Sequence, residues 1–148
     1  DYYDADPSRL WKYIDNNGKP LFPFGFGLRS PTFRYDHLSV RAPAPRSHGD
    51  IQVTVDVTNT GDRAGDEVAQ LYVRENVSSV ETPARALKGF SRIHLGPGET
   101  KTVSFRVPQK ELKVWNAEKM WAIEGGEYTV WVGGSSQATL SARFDLKP

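Results

Sequence analysis

Cysteine is absent from the 148 residues, and methionine occurs once. No disulfide framework, thiol nucleophile or zinc–thiolate centre can therefore be built, and the redox compartment stays open. An excess of either charge sign is missing too: 19 Lys and Arg stand against 18 Asp and Glu, a formal charge of +1. That balance gives no electrostatic reason to expect nucleic acid or an anionic membrane as partner. No apolar run nears the ~20 residues that span a bilayer, and the N-terminus has no signal-peptide pattern. An initiator Met is also lacking. The chain starts Asp1-Tyr2-Tyr3-Asp4, which reads as a piece of something longer. Its length suits one domain plus a short extension.

What is present divides in two. Residues 1 to 31 are rich in Pro, Gly and aromatics, with Pro7, Pro20, Pro23 and Pro31 spaced through them. A helical turn over Ser8 to Tyr13 is predicted, with Asp6 or Ser8 as its N-cap. The run Pro20-Leu21-Phe22-Pro23-Phe24-Gly25-Phe26-Gly27-Leu28 suits neither helix nor ordinary strand, because Pro23 removes a donor and the glycines permit unusual φ. A segment this apolar needs a surface to lie on. Leu21, Phe22, Phe24, Phe26 and Leu28 are therefore the candidate domain-interface residues.

From Phe33 onward the period becomes two. Ile51, Val53, Val55 and Val57 alternate with polar residues, as half-buried strands do. Similar runs cover Phe33 to Val40, Glu67 to Arg74, Leu87 to Leu95, Val103 to Val107, Glu127 to Val132 and Ala138 to Leu146. Turn residues such as Asn59-Thr60-Gly61-Asp62 and Gly96-Pro97-Gly98-Glu99 separate them. About seven short strands with no long helix predict an all-β fold. An antiparallel sandwich of the immunoglobulin or fibronectin type III kind over 32–148 fits, with a closed barrel as the alternative.

Catalytic chemistry finds no foothold. His37 and His48 are expected to flank the first loop and His94 to end a strand, without the three or four converging ligands zinc needs. Asp56, Asp62, Asp66 and Glu67 cluster near a turn but lack EF-hand spacing, and read as solvated acids. There is no Gly-x-Ser-x-Gly elbow, and Gly25-Phe26-Gly27 lacks the third glycine and the flanking strand and helix of a phosphate loop. Glycoside hydrolysis needs two carboxyls about 5 or 6.5–9.5 Å apart, one of them in an apolar pocket. The acids here fall mostly at turns or outward strand positions. No catalytic, cofactor-binding or metal residue is assigned.

Aromatics remain: four Trp, six Tyr and seven Phe. Val130 and Val132 should face the core, so Trp131 faces away from it. Trp131 is either a platform on which a sugar ring stacks, making an oligo- or polysaccharide a partner, or a ring covered by protein. Trp115 and Trp121, flanking Asn116 to Met120, are expected to close one end of the core. The loop from Asn76 to Ala86 is the other candidate contact.

Several stretches together resemble one family. The Pro20-to-Leu28 run followed by Thr32-Phe33 is similar to the segment of glycoside hydrolase family 3 that leads into a C-terminal fibronectin type III-like domain. Val57-Thr58-Asn59-Thr60-Gly61, then Gly65-Asp66-Glu67-Val68-Ala69-Gln70-Leu71-Tyr72-Val73, resemble that domain's start. Leu87-Lys88-Gly89-Phe90 and Gly126-Glu127-Tyr128-Thr129-Val130-Trp131-Val132-Gly133 continue the likeness. Arg29-Ser30-Pro31 departs from it, where the family has Ser-Tyr-Thr. The resemblance implies a parent of the β-glucosidase or β-xylosidase type, retaining, and working outside the cytoplasm. The family's nucleophile and acid/base residues lie in other domains, so it carries no catalytic residue onto this chain. The partners it implies are those catalytic domains, and the implied role is to stabilise them or a dimer.

Overall fold

The computed structural model describes residues 32–77 and 84–148. The extension over 1–31, where the sequence predicts a helical turn and five candidate interface residues, falls outside the described residues, as does the middle of the 76–86 loop. Among the described residues nine strands follow in order: β1 (Phe33–Arg41), β2 (Ile51–Asn59), β3 (Gly65–Glu75), β4 (Ala86–Leu95), β5 (Thr100–Val107), β6 (Val114–Trp115), β7 (Trp121–Ala122), β8 (Gly126–Gly133) and β9 (Ser141–Leu146). Seven of them build two open sheets, β1-β2-β5 and β4-β3-β8-β9, while β6 and β7 form a separate short hairpin. Every pairing is antiparallel. Two stacked open layers make a sandwich and not a closed barrel.

Period-two patterning puts the valines where they are. Ile51, Val53, Val55 and Val57 of β2 are all at most 1% exposed and face Ala69, Leu71, Tyr128, Val130 and Val132 of the second sheet within one cluster. The rings of Tyr128 and Phe144 stack at 5.3 Å between centroids. Such burial, at roughly 25 cal/mol per Å² of apolar surface, is the main force holding the layers together.

One strand breaks the alternation. The β1 residues packed on the core are Phe33, Tyr35, Leu38 and Val40, so the step from Tyr35 to Leu38 is three residues. Register with β2 shifts between Asp36 and Ser39, and His37 sits at φ 56. This is a β-bulge: one extra residue turns both Asp36 and His37 outward. His37 therefore lies inside a strand and not beside the first loop, as the sequence had suggested.

The turns are pinned by a buried amide. Asn59 is fully buried; its Nδ2 donates to the carbonyls of Arg63 (2.8 Å) and Leu95 (3.0 Å), and its Oδ1 accepts from the Gly61 amide at 2.9 Å. Its own carbonyl accepts from Gly98, whose φ of 77 favours glycine. One side chain thereby satisfies groups from two connections that would otherwise be orphaned.

The end of the sandwich corrects a second expectation. Trp115 and Trp121 do not close the core: they are 50% and 64% exposed, paired across the β6–β7 hairpin with centroids 5.5 Å apart. The plug is a single 3-10 turn, Gln109–Leu112, which buries Leu112. Gln109 ties it down, its Nε2 donating to the carbonyls of Ser47 and Gly49.

Candidate functional site

Three places carry unusual side-chain environments. The first is Trp131, on the outer face of β8 between Tyr72 and Ser141 of its neighbours. Val130 and Val132 are core residues and Trp131 is half-buried, pointing the other way. Its indole carries two guanidiniums, with the Cζ of Arg85 4.1 Å and that of Arg74 5.1 Å from the ring centroid. Arg85 is fixed there because its Nη1 donates to the Ala138 carbonyl at 2.7 Å. A guanidinium stacked on an indole contributes about 0.5–2 kcal/mol and occupies a face that a sugar ring would need.

The second place lies where β1 begins. An open groove of about 530 Å³ is lined by Phe33, Tyr35, Glu67, Val132, Gly134 and Leu140, among others. Glu67 is only 6% exposed, which the reading of these acids as solvated missed. The Tyr35 hydroxyl donates to its Oε2 at 2.7 Å. Burial pushes the Glu67 carboxyl above the usual range, and the bond from Tyr35 offsets part of that rise. Burial, reinforced by the Glu67 charge, raises the Tyr35 hydroxyl as well. Gly134 makes room for the pair: a Cβ there would stand 2.8 Å from Glu67 Oε2. Glu67 is the single acid in the described lining, and the two-carboxyl arrangement of a glycosidase needs a partner across the sugar.

The third place is the β6–β7 hairpin. Trp115, Met120 and Trp121 are all at least half exposed on a hairpin held by Asn116, whose Oδ1 accepts from the amides of Glu118 and Met120. Large apolar side chains gathered at the surface mark a contact region.

The outward bulge residues form a further group. Asp36, His37 and Asp56 each bring a ligand-type atom to within 4.8 Å of the others. The spacing of apolar residues in β1, two-three-two, is the signal in the sequence from which this group could have been found. No described helix is long and apolar enough to cross a membrane.

Residues 67–136 match the family profile of the Fibronectin type III-like domain. The chain carries a domain of that class, and its two-layer topology agrees. Its relatives are more particular. It is 38% identical over 135 residues to the periplasmic β-glucosidase of Salmonella typhimurium, covering 91% of this chain and 18% of that protein. It is 46% identical over 127 residues to a β-xylosidase of Formosa agariphila, covering 86% and 18%. Among solved structures, a β-glucosidase of intestinal bacteria involved in saponin metabolism superposes with TM-score 0.72 at 32% identity, covering 82% of this chain and 17% of that one. The β-D-glucoside glucohydrolase of Trichoderma reesei gives 0.70 at 30%, covering 90% and 21%. The chain belongs with the fibronectin type III-like domains of the family 3 glycoside hydrolases, and it spans about a fifth of the length of these relatives.

Proposed function

We propose that the chain is a non-catalytic accessory domain of a β-glucosidase- or β-xylosidase-type hydrolase, placed outside the cytoplasm, whose task is to brace the catalytic domains. One observation carries this reading: the chain matches relatives over most of its own length and under a fifth of theirs, while exposing large apolar side chains on the β6–β7 hairpin. Trp115, Met120 and Trp121 offer one contact with the rest of the enzyme. Leu21, Phe22, Phe24, Phe26 and Leu28 offer a second, supported by their apolar, proline-broken sequence. The name of the periplasmic relative supports the placement.

Deleting residues 21–28 from the whole enzyme should lower its melting temperature, as should Trp121→Ala; unchanged values for both sink the proposal. A domain holding polymeric substrate through Trp131 makes a different forecast. It predicts a saturable change in tryptophan fluorescence when this chain is titrated with cello- or xylo-oligosaccharides, and none is expected while Arg85 sits on the ring. The chain alone should not turn over nitrophenyl glucosides.

A further inference from the structure

The geometry points to a divalent-cation site of the zinc class on the outer face of the three-stranded sheet, built by Asp36, His37 and Asp56. Three observations converge on it. The bulge in β1 turns two consecutive side chains, Asp36 and His37, to the same side, and register sets Asp36 directly opposite Asp56 on β2. Two carboxylates facing each other across antiparallel strands repel, so the pair needs positive charge between them. The atom found there is His37 Nδ1, 3.1 Å from Asp36 Oδ1 and 3.1 Å from Asp56 Oδ2. With a proton on it Nδ1 hydrogen-bonds Asp56 Oδ2, and without one it faces two carboxylate oxygens at a single distance. That distance is close to the spacing of neighbouring ligands on zinc, which stand about 3.3 Å apart when each is ~2.0–2.1 Å from the metal.

The remaining oxygens are already held. Asp36 Oδ2 accepts from Arg34 Nε at 3.3 Å, and Asp56 Oδ1 accepts from the Thr102 hydroxyl at 2.7 Å, across the next strand. Each carboxylate thus has one oxygen fixed by a neighbour and the other aimed at the imidazole, the outer support that ligating carboxylates receive in metal centres. One imidazole and two carboxylates suit zinc and its borderline neighbours better than calcium or magnesium, which favour oxygen throughout. Three protein ligands leave a tetrahedral position open to water or to an atom of a docked partner. The second histidine–carboxylate contact of the domain lacks this design. His94 Nδ1 meets Asp66 alone, at 2.6 Å, and Arg92 holds that carboxylate's other oxygen.

The test is calorimetric titration of the 148-residue chain with zinc chloride, paired with melting curves. One saturable site is expected, with the melting temperature rising about 5–10 °C at a hundredfold excess over the dissociation constant. His37→Ala and Asp56→Asn should each abolish saturable binding. Thr102→Val should weaken it by about tenfold, as loss of an outer-shell partner does. His94→Ala should leave it unchanged. The trio lies outside the core, so the zinc-free melting temperature of each variant shows whether it has folded. Absence of saturable zinc binding, or binding that survives His37→Ala, overturns the proposal, as does equal loss in His94→Ala.

Discussion

Glu67 is the side chain whose chemistry departs furthest from what its position in the sequence suggests. Its carboxyl binds a proton more tightly in the fold than in the unfolded chain, because burial penalises the charge. Its contribution to stability is thus complete below the unfolded value of about 4.5 and is lost as pH rises through the higher folded value. Asp66 works in the opposite sense, since hydrogen bonds from Arg92 and then His94 hold its carboxyl below the ordinary range. The difference between wild type and Glu67→Gln isolates the one group. Urea titrations from about pH 4 to 8 should find that wild type loses ground to the variant as pH rises; a gain would reverse the assignment. Tyr35→Phe removes the one side-chain donor to that carboxyl among the described residues and should cost about 1–3 kcal/mol at neutral pH. Asn59→Ala strands backbone groups of two turns and should cost about 2–4 kcal/mol, read as a lower denaturation midpoint.

At the level of elements, strict alternation made β2, β5 and β8 legible, because each alternates core residues with side chains that face away from the core. Isolated rules failed where two constraints met. In β1 the alternation slips by one residue at His37, and only the pairing with β2 tells which side chains then share a face. Glu67 begins an alternating run whose other members are sorted by facing sheets, but its burial comes from Tyr35 and from a glycine 67 positions later in the chain. The tryptophans of the β6–β7 hairpin looked like core by composition, whereas the 3-10 turn before them had already filled the end of the sandwich. A contrast follows. Trp121→Ala should change the stability of this chain by less than about 1 kcal/mol, as surface substitutions do. Leu112→Ala, in the adjoining turn, should cost about 2–4 kcal/mol. Chemical denaturation of the two variants side by side decides whether the hairpin is a passenger or a part of the packed domain.

For the whole molecule, two sheets share one interior, so damage at its centre should be felt everywhere at once. Leu71 is fully buried between the layers. Leu71→Ala should remove about 3–5 kcal/mol, a large share of the 5–15 kcal/mol typical of a domain, and unfolding should remain a single transition. Among the described residues the sheets also end in free borders, and a border is where one copy of a chain can recruit another. β1 is such a border, with β2 as its one sheet neighbour among the described residues. The kink at His37 divides its outer rim into Phe33 to Asp36 and Ser39 to Arg41, so an incoming strand meets at most four residues before its ladder falls out of step. The same extra residue that gathers three ligand-type side chains on one face thus keeps that rim from serving as a template for fibrils.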